Sequence, residues 1–462
     1  MNLIMNPVIF REYDVRGVYN KDFNDEFAYH LGRAFYAHAS RTLNKKNLRL
    51  SLGHDARTSC GPLIENITRG FVESGGDVIL LGLVTSPISY FSMFQCDLDG
   101  GIMVTGSHNP PEYNGFKISL GKTTIFGEEI LKLKDIIENK SYVDNPGGTS
   151  KPYDIFPEYL ARYQKEFGQI KPIKVVLDCG NGAGGVIARK LFNAVGLDPI
   201  VLFEQPDGRF PNHHPDPTVE KNLVDLKNKV LETGAVVGIG FDGDADRIGI
   251  VDHTGKMIYG DELMTLFSRS ILEKNKGEKI VGDVKCSDRM YTDIEKNGGV
   301  PVLWKTGHSL VKEKIKVEKA PFGGEMSGHI FFADRNYGYD DAPYAGLRLC
   351  EIISKSGKNV QELLAGLPPA FNTPEIRIDT TEEKKILIVE KVKEAFSKPS
   401  DDYKVNLIDG IRISFTGKDL NGWALARSSN TQPVLVVRFE SSTEAGLKKI
   451  QSSVMDVVNT YL

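Results

Sequence analysis

One pattern recurs three times along the chain: an apolar run short enough to be a buried strand, a short polar turn at its end, and then a helical period. The turns are Gly53-His54-Asp55, Asp178-Cys179-Gly180 and Asp283-Val284-Lys285. Strands that alternate with helices call for a largely parallel sheet with helices over it, because a parallel neighbour is reached only through a crossover. In the first unit the pattern predicts strands over 48–52, 78–81 and 101–104. Helices are predicted over 25–42, with Phe27, Leu31, Ala34 and Phe35 on one face, and over 62–73 and 128–137. The stretch 139–152, with Pro146-Gly147-Gly148, reads as a linker.

The second unit predicts strands over 174–177, 199–203 and 235–241, a glycine turn over 179–185, and helices over 186–195 and 223–231. The third predicts strands over 279–283 and 300–304 around a helix over 288–296. After Leu367-Pro368-Pro369 strands follow strands, over 375–378, 410–415, 423–427 and 434–439, between a helix over 382–397 and a terminal helix, which marks an antiparallel α+β domain. A chain of 462 residues is long enough for three or four domains. The expected architecture is therefore three similar mixed-sheet α/β domains (1–152, 153–254 and 255–368) and a C-terminal α+β domain (369–462).

The charge balance, 57 basic against 61 acidic residues, demands neither nucleic acid nor an anionic membrane as a partner. Five cysteines without CxxC spacing indicate neither a zinc cluster nor a disulfide framework, and no window approaches the length of a membrane span. The expectation is a cytoplasmic monomer acting on small molecules.

Two segments carry chemistry. In Thr105-Gly106-Ser107-His108-Asn109-Pro110, Gly106 frees the backbone to turn and expose the Ser107 hydroxyl. No G-x-S-x-G elbow supports a hydrolase triad. Asp242-Gly243-Asp244-Ala245-Asp246-Arg247 lies between two apolar runs, where alternate carboxylates at the end of a buried strand repel unless a cation holds them. A calcium loop fails on spacing, since Arg247 stands where its glycine belongs and His253 where its bidentate Glu belongs. Magnesium suits the triplet better. A lone serine in a turn more often fills backbone hydrogen bonds. Here Asn114-Gly115 signals a hairpin whose return strand brings Lys117 towards Ser107, where it serves as acid/base or charge stabiliser. Gly323-Gly324-Glu325-Met326-Ser327-Gly328-His329 suits a sugar diol, and Arg427-Ser428-Ser429-Asn430-Thr431 suits a phosphate.

In this order and at these separations the motifs resemble the α-D-phosphohexomutase superfamily, most closely its bacterial phosphomannomutase/phosphoglucomutase branch. The resemblance extends to Tyr13-Asp14-Val15-Arg16-Gly17, Asp207-Gly208-Arg209-Phe210-Pro211-Asn212-His213-His214-Pro215, Asp283-Val284-Lys285-Cys286 and Trp304-Lys305-Thr306-Gly307-His308-Ser309. It implies four domains around a central cleft, with Ser107 as the phosphoserine. Asp242, Asp244 and Asp246 would bind one Mg²⁺ together with a Ser107 oxygen, and Arg247, Lys117 and His108 would attend the transfer. Glu325 and Ser327 would hold sugar hydroxyls. Tyr13, Arg16, Lys285, Gly307, His308 and His329 would line the site, and Arg427, Ser429, Asn430 and Thr431 would clamp the second phosphate.

The implied reaction moves phosphoryl between O1 and O6 of a mannose or glucose phosphate through a hexose 1,6-bisphosphate. The alternatives are a phosphoglucosamine mutase, against which Met326 speaks, and a metal-dependent phosphatase. Ala245 stands where members often have Gly, which implies a backbone there without a strongly left-handed turn.

Overall fold

The computed structural model describes residues 2–145, 147–417, 420–429 and 433–462. Its contacts divide the chain into two compact units, residues 1–263 with 327–363 and residues 264–326 with 364–462. Each is built on two sheets.

The first sheet holds β1 (Val15–Val18), β2 (Arg49–His54), β3 (Asp77–Leu83), β4 (Gly100–Val104), β5 (Tyr113–Leu120), β6 (Thr123–Thr124) and β7 (Ser150–Pro152), in the order β1-β5-β4-β2-β3-β7 with β6 on β5. β2 runs parallel to both β3 and β4, as the alternation of elements requires. β5 runs antiparallel to β4, with Lys117 opposite Met103 and Phe116 opposite Val104, so the sheet is mixed. Asn114 and Gly115, expected as the turn, lie inside β5. The reversal between the strands is the serine loop itself, residues 105–112. The end of the expected linker is an edge strand, because β7 pairs with β3; Pro146 lies outside the described residues.

The helix Asp25–Leu43 begins at Asn24, whose side chain accepts from the Phe27 amide, and it buries Phe27, Leu31, Ala34 and Phe35 as the period predicts. The helix Ser86–Gln95 was not anticipated. Eight of its residues are buried, Ser86 to Met93, so no polar face marks its period.

The second sheet holds β8 (Val175–Asp178), β9 (Ile200–Leu202), β10 (Val237–Phe241), β11 (Ile248–Asp252) and β12 (Met257–Ile258), in the order β12-β11-β10-β8-β9. β8 is parallel to β9 and β10, and β11 is antiparallel to β10. Every residue of β10 and β11 is buried. Burying a side chain such as Ile239 or Phe241 contributes about 1.5–3 kcal/mol, which anchors the carboxyl end of β10 where Asp242 begins.

In the second unit β13 (Lys279–Asp283) pairs in parallel with β14 (Val300–Trp304) and β15 (Phe322–Gly324). The next strand, β16 (Ile330–Phe332), falls in the first unit. The C-terminal sheet holds β17 (Phe371–Asn372), β18 (Ile376–Asp379), β19 (Tyr403–Asn406), β20 (Ile411–Gly417), β21 (Leu420–Ser428) and β22 (Val434–Ser441). It is antiparallel, as the run of strands implied. One face packs Ile411, Ile413, Ala424, Ala426, Leu435 and Val437 against the helices Glu382–Ala395 and Glu444–Tyr461.

Candidate active site

In the first unit the serine loop and the acidic loop meet. Both follow the carboxyl ends of buried strands, β4 and β10, the usual end for ligand binding in α/β sheets. Ser107 Oγ donates to Asp242 Oδ2 at 2.8 Å and stands 3.2 Å from His108 Nδ1. Asp242 Oδ1 accepts the amides of Asp246 and Arg247 at 3.0 and 3.1 Å, which curls the acidic loop about its first carboxylate. The loop approaches so closely that a Cβ on Gly243 would lie 2.3 Å from the Ser107 carbonyl oxygen.

The backbone is left-handed at two residues of this site, Ser107 at φ +49° and Ala245 at φ +59°. The expectation for Ala245 is therefore corrected: alanine occupies the left-handed conformation there. Such residues cost of order 1 kcal/mol or more and persist only where surrounding bonds fix them. For Ser107 the bonds are visible. Asp55 Oδ2 accepts Thr105 Oγ1 at 2.7 Å and the Gly106 amide at 3.1 Å, and the Thr105 hydroxyl accepts the Ser107 amide at 2.8 Å. Arg57, held by Asp55 at 3.1 Å, donates through Nη2 to the carbonyls of Ser107 (2.8 Å) and Asn109 (2.6 Å) and through Nη1 to Tyr113 (2.9 Å). Sequence reading gave Asp55 and Arg57 no role. Their position after β2, a parallel neighbour of β4, was the available signal.

Lys117 does not bond Ser107. Its ammonium donates to Asp244 Oδ2 at 2.6 Å and to Asp246 Oδ2, and Ser86 Oγ also donates to Asp244. Burial opposes the charged ammonium, but Asp244 and Asp246 hold its pKa well above the ordinary lysine value. Burial likewise opposes ionised Asp244, yet Lys117 and the hydrogen bonds of Lys117 and Ser86 pull it below the usual range. Asp242 is pushed well up by burial and by its two acidic neighbours. His108 is pushed well down by burial and by Arg247 and Arg16, which keeps the ring neutral.

The triplet can hold a metal ion. One oxygen from each of Asp242, Asp244 and Asp246 lies within 4.8 Å of the others, and Asp244 Oδ1 and Asp246 Oδ1 are buried without accepting a hydrogen bond. Oxygen-only donors of this kind fit a hard divalent cation.

Around this centre Arg247 Nε donates to His329 Nε2 at 2.9 Å, and His329 Nδ1 lies 2.9 Å from Asp340 Oδ2, a carboxylate sequence reading missed. Arg16 bonds Asn109 Oδ1 at 2.9 Å and pairs with Asp14; Tyr13 is buried beside them in sequence. Ser327 is half-buried in the same unit.

The remaining candidates belong to the second unit. The Gly307 amide donates to Glu325 Oε1 at 2.6 Å, and His308, buried, opens the helix His308–Glu318. Asp409 Oδ2 accepts both Arg427 Nε and the Thr306 amide at 3.0 Å, joining two candidate loops through a residue that sequence reading did not select. Lys285 Nζ lies 3.3 Å from Glu375 Oε2 and 3.7 Å from Asp283 Oδ2. Burial opposes its charge, but Glu375 and Asp283 raise its pKa above the ordinary value. Ser429 is buried, and its carbonyl accepts Lys385 Nζ at 2.7 Å. Asn430 and Thr431 lie outside the described residues.

Comparison with known proteins agrees across the whole chain. The phosphoglucomutase/phosphomannomutase alpha/beta/alpha domains I, II and III match residues 7–144, 157–255 and 259–371, and the C-terminal domain of the same family matches 375–457. The chain belongs to the phosphoglucomutase/phosphomannomutase family. It is 43% identical to a phosphomannomutase/phosphoglucomutase of Pseudomonas putida over 98% of this chain and 95% of the relative. It is 41% identical to a phosphoglucomutase of Neisseria meningitidis over 98% and 97%. A phosphoglucomutase/phosphomannomutase family protein of Burkholderia thailandensis superposes with a TM-score of 0.91 at 38% identity, over 99% of this chain and 98% of that one. In this family member no helix among the described residues is long and apolar enough to cross a membrane.

Proposed function

We propose that the protein interconverts the 1- and 6-phosphates of glucose and mannose by passing phosphoryl through Ser107. The observation that carries this reading is the Ser107 hydroxyl, held in a left-handed turn and donated to a carboxylate of an acidic triplet. In the forward step the P–Oγ bond of phospho-Ser107 breaks and a bond forms from phosphorus to the free O1 or O6. The proton of that sugar hydroxyl passes to His108, whose ring nitrogen lies 3.2 Å from Oγ and hands a proton to the departing Ser107 oxygen, leaving the serine as its hydroxyl. Lys117, fixed as an ammonium on Asp244 and Asp246, and Arg247 stabilise the charge of the transferring group. The resulting hexose 1,6-bisphosphate turns and returns its other phosphate to Ser107.

Mg²⁺ held by Asp242, Asp244, Asp246 and a Ser107 oxygen would neutralise phosphoryl charge. Glu325 and Ser327 contact O3 and O4, whose places nearly coincide in the two orientations. Tyr13, Arg16 and His329 of the first unit and Lys285, Gly307 and His308 of the second are read as contacts to the sugar phosphate, and Arg427, Ser429, Asn430 and Thr431 as the group that takes the phosphate that does not react. Because O2 is not read, both glucose and mannose configurations are accepted. The relatives' names, which include both sugars, support that breadth.

The test is a panel of glucose, mannose and glucosamine 1-phosphates with Mg²⁺ and a trace of hexose 1,6-bisphosphate, following 6-phosphate product and inorganic phosphate. Isomerisation of the first two without phosphate release is expected. Net phosphate release replaces the reading with a phosphatase, and turnover of glucosamine 1-phosphate alone replaces it with the amino-sugar mutase.

A further inference from the structure

The C-terminal sheet has two unlike faces. Opposite its apolar face, strand alternation aligns Arg412, Leu425 and Arg438 in one row, since Leu425 on β21 stands opposite Arg412 on β20 and Arg438 on β22. The next row holds Ser414, Trp423 and Glu440. The two guanidinium carbons lie 3.8 and 5.5 Å from the centre of the Trp423 ring, and Arg412 and Arg438 are each 2% exposed. A buried guanidinium is destabilising unless its donors find acceptors.

Here the acceptors are the successive backbone carbonyls of one turn, the turn that follows β13. Arg412 Nη1 donates to the carbonyls of Val284 and, at 2.9 Å, Cys286, and Nη2 donates to Asp288 Oδ1 at 2.6 Å. Arg438 Nη1 donates to the Lys285 carbonyl between them. Glu440 Oε1 accepts both Ser287 Oγ at 2.7 Å and Trp423 Nε1 at 3.0 Å, and the Val284 side chain packs with Trp423 and Leu425. Apolar packing alone would bury this turn. Guanidinium bonds to three consecutive carbonyls fix each peptide plane, and so fix the direction in which the Lys285 side chain leaves the backbone.

We propose that Arg412 and Arg438, stacked on Trp423, are positioning residues that hold the 284–286 turn so that the Lys285 ammonium meets the hexose phosphate. The proposal rests on Lys285 being a substrate contact, as read above. Neither arginine touches substrate; each acts through the turn.

Steady-state kinetics on Lys285→Met, Arg438→Met and the double variant test it. Each single change raises KM for the hexose 1-phosphate about tenfold, the factor that one hydrogen bond to a charged group is worth, with kcat nearly unchanged. The double variant is no worse than Lys285→Met alone, because both act on one contact. KM increases that multiply in the double variant, or an Arg438→Met that loses thermal stability with KM unchanged, overturn the proposal alone. A Lys285→Met with unchanged KM removes the reading of Lys285 and the proposal with it. If Arg438→Met does not fold, Arg438→Lys, which keeps the charge but loses the planar fork, takes its place in the same cycle.

Discussion

Two buried charge clusters, one in each unit, are built in opposite ways. In the first the buried charge is mainly carboxylate: Asp242, Asp244 and Asp246 crowd around Ser107 with Lys117 as the cation bonded to two of them. In the second it is the guanidinium pair of Arg412 and Arg438, whose partners are largely backbone carbonyls. The first arrangement is electrostatically unfinished without a cation, which suits a place where phosphoryl and metal charge are handled. The second meets its Nη donors with fixed acceptors, though Arg412 Nε is buried without one, and what it determines is backbone shape. Charge serves chemistry in one cluster and geometry in the other.

The largest break in that comparison is Ser107→Ala, which is expected to lower mutase turnover by about 10⁴-fold while calorimetry still detects hexose phosphate binding. Unchanged turnover would remove Ser107 from the reaction. A second test separates paired from unpaired carboxylates within the first unit. Asp244, bonded by Lys117, is pulled down, whereas Asp341 is met by Tyr159, Tyr163 and the Tyr344 amide and burial pushes it up to about 6. A raised folded pKa stabilises fully below the unfolded value near 3.8, and that contribution is lost as pH rises through 6. Asp341→Asn should therefore flatten the fall in stability between pH 4 and 7 by about 3 kcal/mol, read from urea melts across that window. An unaltered pH profile would show that Asp341 titrates normally.

Arg57→Met tests whether the first unit also uses guanidinium for shape. It should cut kcat by about 50-fold through loss of the serine turn, with Mg²⁺ affinity by titration little changed. A loss of metal affinity as large as the loss of kcat would place Arg57 in the metal site instead. The smallest effect is expected from Asp409→Ala, which frees Arg427 from its brace and should raise KM about fivefold at constant kcat. A change in kcat alone would contradict that role.

Much of this was legible in the sequence, for reasons particular residues show. The strand Lys279–Asp283, the helix Asp288–Lys296 and the strand Val300–Trp304 match their predicted bounds because apolar runs and an amphipathic period delimit them. The helix Ser86–Gln95 was hidden by its burial, and Asn114-Gly115 looked like a turn because the pair favours one when no sheet neighbour claims it. Lys117 was expected beside Ser107 and bonds Asp244 and Asp246 instead; those partners could not be read, since they are 127 and 129 residues away. Asp55 ends one of the recurring polar turns, but its part, like those of Arg57, Asp340 and Asp409, depends on where a loop closes.

By itself the sequence determined the classes of element, the mixed α/β and antiparallel character of the sheets, and the serine and acidic loops, because periodicity, turn chemistry and spacing are local properties. Only the tertiary structure decided what those loops meet: Ser107 on Asp242, left-handed Ala245, Lys117 on the triplet rather than on Ser107. It also decided the fate of Arg412 and Arg438. Ile411-Arg412-Ile413 and Val437-Arg438-Phe439 alternate as though one face were wet, and both charges are buried because a turn more than 120 residues away in sequence supplies the carbonyls they need.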